Sequence, residues 1–331
     1  MRPLNEAVRK EYLALTEGAG AVDVSDRTQV RVSGADRVRF LHGFCTNDIQ
    51  RLSAGAGCET FLANARGKLV GHVFVFCDAE GLTLETSPGQ AESLIRHLDR
   101  YVIREDVQFQ DLNGLVAEFL VAGQRSPELL AGLTGRPAPA EMLSHEEALL
   151  ASAVPISLRR VPLAVPSAFL LSCPAARRAE VQQLLLTSGS MVCGAEAFEA
   201  VRIEAGFPCY GRDITEEHLP QEVNRNAQAI SFTKGCYLGQ ETVARINALG
   251  HVNRKLVQLS WQGPEPLQPG QDLKLEEQVV GRVTSAAWSP RCGGPLALAY
   301  LRRGLDRPGT RLETGGGIAE VVEVSIPSRN S

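Results

Sequence analysis

Thr28-Gln29-Val30-Arg31-Val32 alternates like a half-buried strand, Gly34-Ala35-Asp36 turns the chain, and Val38, Leu41 and Cys45 then recur at helical spacing. This strand-turn-helix unit sets the reading of the segments around it. Phe61-Leu62-Ala63-Asn64-Ala65 enters the turn Arg66-Gly67-Lys68 and leaves through Leu69 to Phe76, and Gly81 to Thr86 offers a further strand. Leu94, Ile95, Leu98, Tyr101 and Val102 mark one side of a helix. Hairpins with helices against them predict an α+β region over residues 1–110.

The mixture repeats over 111–249. Val116 to Val121 is predicted as a strand, Ala175 to Leu186 as a helix after Pro174, and Ala195 to Ala205 as a helix stopped by Gly206-Phe207-Pro208. This second α+β region is either successive to the first or intertwined with it. Beyond His251 short strands take over, at Lys255 to Trp261, Gln278 to Ala286, Ala297 to Leu301 and Gly317 to Ile326. Pro264, Pro266, Pro269, Gly270 and Pro308 punctuate them, which predicts an antiparallel β-rich region over 250–331, a small barrel or sandwich.

With 331 residues and 44% hydrophobic content, the chain is large enough to bury substantial cores. Its formal charge of -4 argues against a nucleic-acid scaffold, whose phosphate contacts favour a basic footprint. The eight cysteines form no CxxC pair and read as reduced thiols, mostly small core residues. An N-terminus without an apolar signal segment, and the lack of a membrane-length apolar run, lead to the expectation of a cytoplasmic protein. No ending of the GK[ST] type follows the glycines at 315 to 317, so a nucleotide-triphosphatase is excluded.

Two stretches concentrate chemistry. In Lys234-Gly235-Cys236-Tyr237-Leu238-Gly239-Gln240-Glu241 a thiol sits between glycines, with Lys234 and Arg245 near in sequence to stabilise a thiolate. Cys236 reads on one side as a nucleophile or soft metal ligand and, with equal weight, as an ordinary buried or turn cysteine. Neither a general base nor four zinc ligands accompany it, and no metal site is predicted. In Arg202-Ile203-Glu204-Ala205-Gly206, followed by Tyr210 to Glu217, a carboxylate at Glu204 suits two adjacent donors on an aminopyrimidine-like edge. The competing reading makes Arg202 and Glu204 surface residues, Gly206 a helix release and Asp213 a cap. Thr46-Asn47-Asp48 supplies further donors and acceptors, and His72 reads as a neutral strand histidine.

Together these patches resemble the folate-binding YgfZ family, bacterial relatives of mitochondrial iron-sulfur assembly proteins and distant relatives of the glycine-cleavage T-protein. The resemblance rests on Lys234 through Glu241, supported by Gly34 to Leu41, Thr46 to Ile49, Tyr210 to Ile214, Leu219 to Glu222, Gly281 to Ser285 and Ser289-Pro290. It implies a three-domain T-protein-like architecture around a central opening. It also implies tetrahydrofolate or a related reduced folate as cofactor, with Glu204 at the pterin and Asn47, Tyr210 and Arg245 in support. Cys236 matches the functional cysteine of that branch, within the motif Lys234, Gly235, Tyr237, Gly239, Gln240 and Glu241. The implied role is maturation, repair or maintenance of iron-sulfur enzymes, with those enzymes or their assembly factors as partners. A folate-dependent aminomethyltransferase and a folate-free interaction protein are the alternatives. The T-protein pattern places a catalytic aspartate where this chain has Gly71 and His72, so conventional glycine cleavage is expected to be disfavoured.

Overall fold

The computed structural model describes residues 4–150, 153–263 and 267–323. The chain forms an α+β region carrying two sheets, followed by a closed antiparallel barrel, which is the fold class expected from the sequence. Val30 and Val32 are fully buried while Arg31 between them is half-buried, so the alternation of the Thr28–Ser33 strand reflects real burial. That strand lies in a five-stranded antiparallel sheet, in the order Ala56–Ala63, Leu69–Cys77, Leu82–Thr86, Thr28–Ser33, Gln108–Asp111. Every residue of Leu69–Cys77 is buried, because the sheet is covered on both faces. Val73 and Val75 pack with Leu41, Leu94 and Leu98 from the Arg37–His42 and Ala91–Asp99 helices. Phe74 and Phe76 point the opposite way, into the central core. The Ala91–Asp99 helix stops short of Tyr101 and Val102, which pack on the same core from a turn.

A six-stranded sheet runs Met191–Val192, Gly20–Asp23, Val116–Ala122, Ala168–Pro174, Pro155–Arg160, His145–Leu149. Gly20–Asp23 pairs with Val116–Ala122 and Met191–Val192, and the Glu6–Thr16 helix packs on the Ala195–Glu204 helix. The N-terminal segment therefore belongs with the second sheet, and the two sheets are woven through one another. The helix expected from Ala175 begins as a 3-10 turn, Ala175–Arg177, and continues as Arg178–Thr187.

The barrel closes in the order Arg254–Gln262, Gly294–Arg302, Gln278–Ser289, Asp272–Leu275, Arg311–Thr314, Gly317–Val322. Val257, Leu259 and Trp261 fill its interior with Leu273, Val283 and Leu301. Leu256, Leu296, Leu298 and Tyr300 join the central core instead, docking the barrel on the α+β region. The expected continuation of the last strand to Ile326, and Pro264 and Pro266, lie outside the described residues. No described helix is long and apolar enough to cross a membrane.

Candidate functional site

The Ala195–Glu204 helix delivers Glu204 to the junction of the Glu6–Thr16 helix and the barrel strand Gln278–Ser289, where it is 1% exposed. Gly206, at φ +64, ends the helix as the sequence suggested. The surface reading of Arg202 and Glu204 is corrected here, because both are buried. Arg202 donates to Asp213 at 2.9 Å, and the other oxygen of Asp213 accepts from Thr284 and Ser285 at 2.6 Å. Asp213 thus ties the loop after the helix to the barrel; it does not cap a helix.

Tyr12 donates its hydroxyl to Glu204 at 2.9 Å, Ser289 donates a second bond, and the Arg291 guanidinium stands 3.8 Å away. Burial and the Glu204 charge push the Tyr12 phenol above its ordinary value, so it remains a donor. Glu204, Tyr12, Arg9, Pro166 and Arg291 line a cavity of about 460 Å3. A carboxylate offers about four acceptor positions, and two donors occupy part of them. Capacity for two further N–H donors is left on a cavity wall, so the residues present fit a pterin edge. Among the described residues no cluster of His, Cys, Asp and Glu is placed to hold a metal ion.

A second buried group lies on the five-stranded sheet. Glu59, from Ala56–Ala63, accepts from Arg225 at 2.6 Å and from His72, on the adjacent strand, at 2.7 Å. Burial alone would raise the Glu59 carboxyl, but Arg225 and His72 override it and hold it down at about 2. An ionised carboxylate only accepts, so His72 carries its proton on Nε2 and keeps a lone pair on Nδ1. Burial lowers the His72 pKa and keeps the ring neutral. Phe207 stacks on that ring with centroids 5.3 Å apart, and the Arg225 guanidinium lies 4.9 Å over Phe207.

The other candidates divide between scaffold and surface. Asn47 donates its side-chain amide to the carbonyls of Glu59 and Gln228, at 2.8 and 2.9 Å. Tyr210 donates to the Leu69 carbonyl at 3.3 Å. Lys234 is buried and donates to the carbonyls of His42, Cys45 and Asn47. Tyr237 is buried beneath it, 5.0 Å from the ammonium. Gln240 accepts from the Tyr237 backbone, while Glu241 and Arg245 are exposed on the Gln240–Leu249 helix. Cys236 is an exposed free thiol and Gly235 has open space where a Cβ would stand. Gly239, at φ +79, approaches Asn64 and Gly67 so closely that the cysteine loop rests on the turn leading to His72. The structure does not gather these residues around Glu204. Sequence reasoning missed Tyr12, Arg225 and Glu59; an acid within Gly57-Cys58-Glu59-Thr60 looks like any solvent-facing strand residue.

Residues 2–234 match the GCVT N-terminal domain, and residues 254–326 match the glycine cleavage T-protein C-terminal barrel domain. The chain is 30% identical over 313 residues to the mitochondrial aminomethyltransferase of Gallus gallus, covering 88% of this chain and 76% of that one. It is 29% identical over 259 residues to the tRNA-modifying protein YgfZ of Sodalis glossinidius, covering 77% and 75%. Its fold matches the glycine cleavage system aminomethyltransferase T from Bartonella henselae with a TM-score of 0.87, at 23% identity over 98% of this chain and 90% of that one. The expectation that conventional aminomethyl transfer is disfavoured is overturned by these matches, since relatives named aminomethyltransferase span most of the chain. That expectation considered a single strand, whereas the neighbouring strand brings the Glu59 carboxylate to His72. With its α+β region and its barrel both matched, the chain belongs to the glycine cleavage T-protein family.

Proposed function

We propose that this protein binds tetrahydrofolate or a related reduced folate, with the pterin at Glu204, and catalyses folate-dependent aminomethyl transfer. The observation that carries the reading is a buried carboxylate with acceptor capacity left on the wall of the 460 Å3 cavity. A bound reduced folate supplies the acceptor for the one-carbon unit. Tyr12 and Ser289 fix the Glu204 oxygens, and Arg291 balances their charge without sealing them. Glu59 accepts the Nε2 proton of His72 and fixes the neutral ring in one tautomer beneath Phe207. The similarity to aminomethyltransferases supports the reaction class. The test is ammonia release from an aminomethyl-lipoyl carrier protein with tetrahydrofolate, alongside binding of tetrahydrofolate to wild type and Glu204→Gln. Turnover with weakened binding in the variant is expected. Absence of turnover in wild type that binds folate would remove the enzyme reading and leave a folate-binding protein.

A second reading follows from Cys236, an exposed free thiol in the stretch Lys234 to Glu241 that resembles the YgfZ-like branch. In it the folate-loaded protein serves cytoplasmic iron-sulfur enzymes or their assembly factors through that loop. Cys236→Ser then lowers iron-sulfur enzyme activity in cells and leaves aminomethyl transfer unchanged. Equal rescue by variant and wild type would rule the thiol out.

A further inference from the structure

The end of the Gln240–Leu249 helix, the start of the first barrel strand and the loop after Gly294–Arg302 enclose a second cleft of about 450 Å3. That volume lies within the roughly 300–1,000 Å3 of small-ligand pockets. Strand register separates it from the Glu204 cavity. Arg254 pairs with Arg302 at the cleft end of the barrel, and Ser289 pairs with Gly294 at the Glu204 end. The Gly294–Arg302 strand spans roughly 26 Å between those pairs. An occupant of the cleft is therefore a ligand in its own right.

One side of the cleft is cationic. Lys255, Arg303 and Arg307 line it beside His251, and the nearby carboxylate is Asp306, 3.3 Å from Lys255. Arg303 donates its backbone N–H to the Asn253 carbonyl at 2.9 Å, so the loop folds back over the start of the strand that carries Lys255. Among the described residues no ion pair engages Arg303 or Arg307. In a chain with net charge -4, this is a local excess of positive charge. The other side carries amides. Gln221 is 5% exposed, and its Nε2 donates to the Val243 carbonyl at 2.7 Å, which fixes the orientation of the group. Its Oε1 is buried without a partner and needs an N–H or O–H donor. Asn226 and Asn247 add two exposed amides that both donate and accept, and Ile246 adds apolar surface for a flat ring.

Concentrated charge opposite an amide-lined edge is the complement of a nucleotide. Guanidiniums match a phosphate in fork geometry, and an exocyclic amine beside a ring nitrogen offers the donor and acceptor that side-chain amides read. We infer that this cleft binds a free mononucleotide whose base carries an exocyclic amine, with Gln221 Oε1 accepting from that amine and Lys255, Arg303 and Arg307 holding the phosphate. Inorganic phosphate would leave Gln221 Oε1 orphaned, and an apolar ligand would leave the cations unpaired. The inference stands independently of folate binding at Glu204.

The experiment titrates AMP, IMP, ribose 5-phosphate and inorganic phosphate by calorimetry into wild type and into the double variant Arg303→Glu, Arg307→Glu. Both exchanged side chains are on an exposed loop, and circular dichroism checks that the variant is folded. IMP places a carbonyl where AMP has its amine, so it tests the Gln221 contact without altering the protein. Wild type is expected to bind AMP at least about tenfold tighter than the other three ligands. The double variant should lose AMP binding, with its tetrahydrofolate affinity equal to that of wild type. Failure of AMP to bind, equal affinity for AMP and IMP, or AMP binding that survives the charge reversal overturns the inference. Competition between AMP and tetrahydrofolate for one site would move the nucleotide to the Glu204 cavity and overturn it as well. Tighter binding of an adenylate hexanucleotide than of AMP would make the cleft the seat of a chain end and remove the free nucleotide.

Discussion

Glu204 and Glu59 are both acids of 1% exposure, yet their surroundings give them opposite roles. Glu204 takes hydroxyl donors and keeps acceptor capacity toward a cavity, whereas the Glu59 oxygens are held by Arg225 and His72. Glu204→Gln keeps the volume and removes the anion. It should weaken tetrahydrofolate binding by about 1–3 kcal/mol with little loss of stability, a contrast that parallel titration and urea unfolding would expose. Glu59→Gln strands a buried guanidinium and should cost about 3–5 kcal/mol of stability. A loss below 1 kcal/mol would mean that Arg225 finds water, and the buried ion pair would have to be abandoned. Glu204 was singled out in the sequence because the resemblance points to it, although its burial was not read from the local pattern. Glu59 was not, since its partner Arg225 lies 166 positions away and only the fold brings them together.

Among the elements, the cysteine loop shows what each glycine is for. At Gly239 a Cβ would lie 2.5 Å from the Asn64 carbonyl, with φ at +79, while at Gly235 it would meet nothing within 4 Å. Gly239→Ala should therefore cost at least about 1–2 kcal/mol and loosen the loop from the Asn64 turn. Gly235→Ala should stay within about 0.5 kcal/mol of wild type. Thermal melts of the two variants decide it, and equal melting temperatures would show that the loop does not rest on the turn. Strands were legible in Thr28–Ser33 and Leu69–Cys77, where burial alternates or is complete, but Pro155–Arg160 and Ala168–Pro174, nearly all buried, were not read from the sequence. The Gln240–Leu249 helix was not, because Val243 is its one fully buried side chain and a single anchor leaves no helical stripe. Nor could periodicity show that Gly20–Asp23 pairs with Val116–Ala122, since register across distant strands leaves no local trace.

Across the whole molecule, the protein has placed its titrating groups where folding moves them in opposing directions. Burial lowers the pKa of His42, His72, His97, His145 and His218, the last to about 4. The unfolded chain thus binds more protons between about pH 4 and 6.5, and stability falls as pH drops through that window. Glu85 lies between the two sheets, with Arg27 at 2.8 Å and Arg159 at 3.4 Å. Its burial and the nearby Glu118 carboxylate raise it to about 8 against those cations. A raised carboxyl has the opposite sign: its contribution is complete below the unfolded value of 4.5 and is lost as pH rises toward 8. Five lowered imidazoles outweigh one raised carboxyl on the acid side. Once the unfolded imidazoles have also lost their protons, above about pH 7, the carboxyl dominates, at up to about 1.4 kcal/mol per pH unit. Urea unfolding from pH 4 to 8 should give a maximum near about pH 7, with the alkaline decline abolished in Glu85→Gln. A wild-type profile that keeps rising to pH 8 would show that Glu85 is ionised in the folded protein and that the two guanidiniums, not the neighbouring carboxylate, govern the space between the sheets.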